Sequence, residues 1–179
     1  MQVKESKIVW ESTSWRLRVD TLVTAQGTEI DKGIIEHPGA VVLIPVRETA
    51  VSPEVLMISQ YRHALNAPLL ELPAGTRGWD EEWLACAQRE LREETGFRAD
   101  KIVLMGEFWP SPGVSNEWMH LYLATGLHPD PLPGDIDEEI EVKPIPFAQL
   151  LDMAKSGQIV DAKSIIGILK AADYLNRPA

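Results

Sequence analysis

The chain has a single cysteine, Cys86, among its 179 residues, so no intrachain disulfide can form. It lacks any apolar run near the roughly 20 residues of a membrane span, and its opening "MQVKES" carries no apolar signal segment. These absences predict a soluble protein of a reducing, cytoplasmic compartment with no membrane partner. Positive charge is scarce as well: 17 Lys and Arg stand against 27 Asp and Glu, a net charge of −10. That balance excludes broad binding to nucleic acid or to anionic membranes. It still admits a small anionic substrate, provided metal ions or a few arginines invert the local field. No repeat or low-complexity linker divides the chain, and its length suits one domain with a sizeable core.

Tryptophan is plentiful, with six at positions 10, 15, 79, 83, 109 and 118. Most are expected in core or interface. Trp10 and Trp15 could contribute to stacking on a base, with core or dimer packing as the plainer assignment. Cys86 falls inside a helical pattern and reads as a packing residue.

The first forty residues read as short strands, "KIVWES", "WRLRVDTLVT" and "TEIDKGIIEH", separated by Ser, Thr and Gly turn signals. "AVVLIPV" and "EVLMISQYR" follow, then the extended run "APLLELPAG". A helix is expected from about Glu81 to Thr95, then strands "KIVLMGEFW" and "EWMHLYLAT". The acidic loop "HPDPLPGDIDEE" precedes a last strand, "IEVKPI", and two helices close the chain, "FAQLLDMAKSG" and "DAKSIIGILKAADYLN". This order predicts an α/β protein with a mixed sheet flanked by helices.

The stretch "RELREETG", Arg89 to Gly96, carries the chemistry. Leu84, Ala87 and Leu91 recur at helical spacing, and Gly96 reads as the residue that ends the helix. Glu90, Glu93 and Glu94 therefore fall in its last two turns, where the helix end is already partially negative and acids are disfavoured. At about 100° per residue the three fan out beside the apolar stripe, offering the hard oxygen ligands that Mg²⁺ or Mn²⁺ require. Taken alone, the helix is equally a solvated face laced with ion pairs such as Arg89 to Glu93.

Spacing beyond the helix decides between these. From Gly75 the segment reads "GTRGWDEEWLACAQRELREETGF". It matches G-x5-E-x7-R-E-U-x-E-E-x-G-U, with U a bulky apolar residue, at Gly75, Glu81, Arg89, Glu90, Leu91, Glu93, Glu94, Gly96 and Phe97. Nine such constraints meet by chance on the order of once in 10⁹ start positions. The sequence resembles the Nudix hydrolases on this signature. The resemblance implies an α/β/α sandwich with metal-dependent hydrolysis of a nucleoside diphosphate linked to a second group. It implies Glu90, Glu94 and Glu93 as ligands of Mg²⁺, or of Mn²⁺, with Glu93 also able to polarise water, and the carbonyl of Ala74 as a further ligand. Glu81 is expected to orient the motif through Arg89, while Gly75 and Gly96 serve sharp turns.

Flanking residues resemble the ADP-ribose pyrophosphatase branch. "LELPAG", with Glu71, leads into the motif; Arg62 of "QYRHA" lies upstream; Pro112 of "SPGVSNE" follows sixteen residues after Gly96, and the resemblance implies that Arg62, Glu71 and Pro112 bind the substrate. Glu117 is placed to meet a ribose hydroxyl. Each has a plainer alternative: a turn for Pro112, an edge-strand charge for Arg62, an exposed acid for Glu117. In similar enzymes the acidic loop supplies a general base or an extra ligand. Here that is Glu138 first and Glu139 second, with Asp135 and Asp137 kept open. Residues 1–38 resemble an N-terminal antiparallel strand segment exchanged between subunits of a homodimer, and 39–179 the hydrolase domain.

Overall fold

The computed structural model describes residues 1–134 and 139–175. The N-terminal strands form their own antiparallel sheet: β1 (Gln2–Glu11), β2 (Arg16–Val23) and β3 (Glu29–Glu36), in that spatial order. β1 is exposed along its whole length, with Val3, Ile8, Val9 and Trp10 among its open side chains. Trp10 packs on Trp15 at 4.4 Å between ring centroids, outside the core.

The remaining strands are β4 (Ala40–Arg47), β5 (Glu54–Arg62), β6 (Ala67–Glu71), β7 (Ala74–Thr76), β8 (Phe97–Phe108), β9 (Met119–Pro129) and β10 (Ile140–Pro146). They form a second sheet in the order β10-β5-β4-β9-β8, with β6 on β5 and β7 on β4. β4 and β9 run parallel, and the other pairings described in this sheet are antiparallel. This is the mixed sheet that the residue pattern predicts.

β4 shows why the domain has three layers. Its residues from Ala40 to Val46 are all buried, as expected of a strand covered on both faces. Val42, Ile44 and Val46 pack with Leu150, Ile168 and Ala171 of helices α2 (Phe147–Lys155) and α3 (Ala162–Leu175). Val41 and Leu43 turn the other way, onto Cys86, Ala87 and Leu91 of helix α1 (Trp83–Thr95). The architecture is an α/β/α sandwich with an added N-terminal antiparallel sheet.

Two sequence expectations change in detail. α1 starts at Trp83 rather than near Glu81, because Glu82 is extended and the Glu81 carboxylate is drawn back to the Gly78 N–H at 2.9 Å. Leu84 is not on the core stripe: it is 55% exposed, and Cys86 takes its place beside Ala87 and Leu91. Leu84 lies in the first turn of α1, one turn before Ala87, and stays open to solvent. Full burial of Leu91 contributes roughly 1.5–3 kcal/mol to holding the helix down. Gly96 ends α1 at φ +79°, where a side chain is strained, and β8 begins at once.

Candidate active site

α1 and β7 bring the motif acids together. Glu90 and Glu94 are 7% and 4% exposed, on the side of the helix that also buries Ala87 and Leu91. Two acids rarely enter such a face without a binding purpose or close partners. Glu94 Oε2 accepts the Ala74 N–H at 2.8 Å. Glu90 lies so close to β7 that a Cβ on Gly75 would stand 1.9 Å from its carboxyl carbon. Gly75 is thus inside a strand, not at the sharp turn expected of it; its lack of a side chain makes room for the Glu90 carboxylate. Gly96 does serve the turn.

Arg89 is the hub of the cluster. Its Nε and Nη2 donate to the two oxygens of Glu81, each at 2.9 Å, and Nη2 also reaches the Thr76 carbonyl at 3.2 Å. Its Nη1 donates to Glu90 at 2.7 Å and Glu93 at 2.8 Å. The paired hydrogen bonds from Arg89 hold the Glu81 carboxyl down at about 2, and the same contacts raise the guanidinium. Glu81 therefore ties the loop before α1 to the acid row through Arg89, in the arrangement expected of it.

Two hollows meet at Gly75 and Thr76. The first, of about 560 Å³, is lined by Glu81, Arg89, Glu90 and Glu93, with Thr13 and Ser14 from the β1–β2 turn. That turn is laced by Ser12 Oγ, which accepts the Ser14 and Trp15 N–H groups at 3.2 Å. It is seated on the motif loop by Arg16, whose guanidinium lies 4.5 Å from the Trp79 ring centroid.

The second hollow, of about 280 Å³, gathers Arg62, Ala74, Glu117, Asp161 and Lys163. Arg62 is more than an edge-strand charge, for its Nε donates to the buried Glu71 at 2.7 Å. Burial raises the Glu117 carboxyl and lowers the nearby His37 ring, 3.9 Å away. His37 Nδ1 accepts the Gly39 N–H, which leaves its Nε2 toward Glu117 and Thr76. Burial thus works against the charged form of both groups.

Other expected residues fall elsewhere. Pro112 lines a separate hollow with Trp109 and Ile34, between the β8–β9 loop and the N-terminal sheet. Glu139 is exposed and borders a third recess with Ser59, Tyr61 and Pro68. Glu138, Asp135 and Asp137 lie outside the described residues. Trp10 and Trp15 border neither of the two hollows at Gly75. The sequence reading missed Lys163, Asp161, His37, Thr13 and Ser14. "DAK" reads as an ordinary helix start and "STS" as an ordinary turn, so no local signal marks them.

The described residues include no helix long and apolar enough to cross a membrane. Nor do three His, Cys, Asp or Glu side chains among them already converge as a metal cage. The acid row is a donor set held by Arg89.

Comparison with known proteins places these features. The NUDIX domain family model matches residues 36–165. A methanol dehydrogenase activator of Bacillus methanolicus is 31% identical over 155 residues, covering 86% of this chain and 82% of its own. An ADP-ribose pyrophosphatase of Bacillus subtilis (strain 168) is 32% identical over 154 residues, covering 85% and 82%. A GDP-mannose pyrophosphatase of Cronobacter sakazakii is 34% identical over 161 residues, covering 80% and 82%. Among solved structures, that of an ADP compounds hydrolase superposes with a TM-score of 0.81 at 20% identity, covering 97% of this chain and 93% of that one. That last likeness concerns the fold, and it agrees with the three layers described above. With the family model spanning most of the chain and the motif acids complete and clustered, the chain belongs to the Nudix family and is a pyrophosphohydrolase of it.

Proposed function

We propose that the chain hydrolyses the diphosphate bond of ADP-ribose, giving AMP and ribose 5-phosphate, with a divalent cation bound at the acid row. The observation that carries this reading is the meeting of the two hollows at Gly75: acids on one side, Arg62 and Glu117 on the other. A diphosphate has that layout, charge in the middle and a hydroxyl-rich sugar at one end.

The residues fit a hard cation. Glu90, Glu94 and Glu93 supply carboxylate oxygens, Gly75 leaves Glu90 its space, and the Ala74 carbonyl belongs to the same strand segment. Mg²⁺ is the proposed ion and Mn²⁺ the alternative. When bound it neutralises phosphate oxygens and lowers the pKa of a coordinated water. The protein's own share is positioning and charge. Arg89 keeps Glu90 and Glu93 from repelling one another, Arg62 faces the diphosphate, and Glu117 accepts or donates to a sugar hydroxyl. Glu93, which lines the first hollow, is the proposed acceptor of a proton from water, and Glu139 borders a different recess. Glu138 stands as the other proposed base.

A homodimer belongs to the same proposal. β1 leaves a wholly exposed strand at the sheet edge, with Val3, Ile8, Val9 and Trp10 among its open side chains, which a second copy would cover, with residues 1–38 as the exchanged unit. Light scattering that gives a single-chain mass at micromolar concentration counts against it.

The test is a panel of ADP-ribose, GDP-mannose, other nucleotide sugars and dinucleotides, each with Mg²⁺ and with EDTA. ADP-ribose is expected to be cleaved best and EDTA to stop cleavage. Preference for GDP-mannose selects the second reading, which the Cronobacter sakazakii relative supports. Tight ADP-ribose binding with no bond cleavage points instead to a sensor of the nucleotide, a role in keeping with the relative named as an activator.

A further inference from the structure

The hollow beside Gly75 contains a second cation that the motif does not explain. Lys163, in the first turn of α3, is 8% exposed, and lysines are almost never so buried without a partner. Its Nζ donates to Glu71 and, at 3.0 Å, to Asp161 Oδ2. Glu71 is fully buried and divides its two oxygens, Oε2 to Lys163 and Oε1 to Arg62 Nε. The neighbouring residues repeat the link. Ser164 Oγ accepts the Leu72 N–H at 2.7 Å, while Asp161 Oδ2 accepts the Ser164 N–H at 3.0 Å and caps the helix. The first turn of α3 is thereby fastened to Glu71 and Leu72, 92 positions earlier in the chain. That segment leads directly into Ala74, whose N–H holds Glu94.

We infer that Lys163 is a positioning residue for substrate binding, acting through Glu71 to fix the orientation in which Arg62 borders the hollow. This rests on the proposed reading of that hollow as the site of the diphosphate and sugar. The physical argument is one of divided valence. A carboxylate gripped at each oxygen by a different cation has one rotamer. Without the ammonium, Oε2 is left buried with its charge uncompensated. The nearest cation is the Arg62 guanidinium, whose fork suits a two-oxygen grip. Arg62 then swings toward Glu71 and away from the hollow. Were Lys163 merely filling space, an apolar residue of the same length would serve as well.

A double-mutant cycle tests this. Lys163→Met is expected to raise KM about tenfold, the scale of one lost charge-assisted hydrogen bond, while kcat stays within about threefold. Lys163→Arg, which keeps the charge, should restore KM to within about threefold of wild type. The decisive variant combines Lys163→Met with Arg62→Ala. If Lys163 acts through Arg62, the double variant binds no more weakly than Arg62→Ala alone. Multiplicative losses overturn the inference, as does a fall in kcat at constant KM, or a Lys163→Arg as impaired as Lys163→Met. Should Lys163→Met not fold, by its thermal melt, Glu71→Gln replaces it in the cycle with the same expectations. The cycle runs on whichever nucleotide the substrate panel selects, so a failed assignment of ADP-ribose does not obscure the coupling.

Discussion

The two hollows that meet at Gly75 are built in opposite ways. The acid side comes from one short stretch, with Glu81, Arg89, Glu90, Glu93 and Glu94 within fourteen consecutive positions. The cation side is assembled from distant pieces of chain: Arg62 at the end of β5, Glu117 before β9, Lys163 on α3. On the acid side one arginine holds three glutamates, Glu81, Glu90 and Glu93; on the other, one buried glutamate is shared by two cations. The first arrangement stores negative charge ready for a cation, and the second keeps positive charge oriented but neutral overall. On the proposed reading chemistry and recognition lie on different sides, and substitutions on the two sides should separate kcat from KM.

The largest effect is expected on the acid side. Glu94→Gln should preserve the fold and lower kcat by at least about 100-fold, because a proposed ligand of the cation is lost. A wild-type rate at saturating Mg²⁺ would erase the distinction between the sides. Gly75→Ala comes next. Its Cβ would collide with the Glu90 carboxylate, at 1.9 Å, and displacing that group should lower kcat about 10- to 100-fold. Stability should fall by about 1–3 kcal/mol through overpacking. An unchanged kcat together with an unchanged melting curve would show that Glu90 yields without consequence.

On the cation side, Arg62→Ala should raise KM about tenfold with little change in kcat, as for a contact made equally in ground and transition states. A loss confined to kcat would place Arg62 with the chemistry instead. The smallest effect concerns stability. The hydrogen bonds from Arg89 hold the Glu81 carboxyl down at about 2 in the folded chain, below its ordinary 4.5. Its stabilisation is therefore full above the unfolded pKa and is lost as pH falls from about 4.5 toward about 2. Glu81→Gln should be less stable at pH 7, and its urea midpoint should drop less than that of the wild type between pH 5 and pH 3. Parallel pH profiles would mean that the Glu81–Arg89 pair contributes nothing to folding.

This contrast also governs what could be read from the residues alone. Glu90, Glu93 and Glu94 were legible because a helix and a fixed spacing put their geometry into adjacent letters. β4 and β5 were legible because buried strands are written as continuous apolar runs. Lys163 was not, since its partner Glu71 lies 92 positions away and nothing near either residue announces the pairing. Leu84 shares the stripe of Leu91 yet stays exposed, because helical spacing gives the direction of a stripe but not how far along the helix the cover extends. Gly75 reads as a turn residue, whereas it lies in a strand and the glutamate beneath it needs the space. Pro112 matched a pattern by counting, yet the fold sends that loop to the N-terminal sheet.

Cys86 gives the acid side a use beyond its chemistry. The thiol is wholly enclosed between α1 and the sheet, and burial together with the neighbouring glutamates pushes its pKa far up. In the native chain it is closed to alkylating reagents, and it becomes reactive when the helix lifts from β4. The rate of labelling therefore reports how often α1 detaches, with no residue substituted.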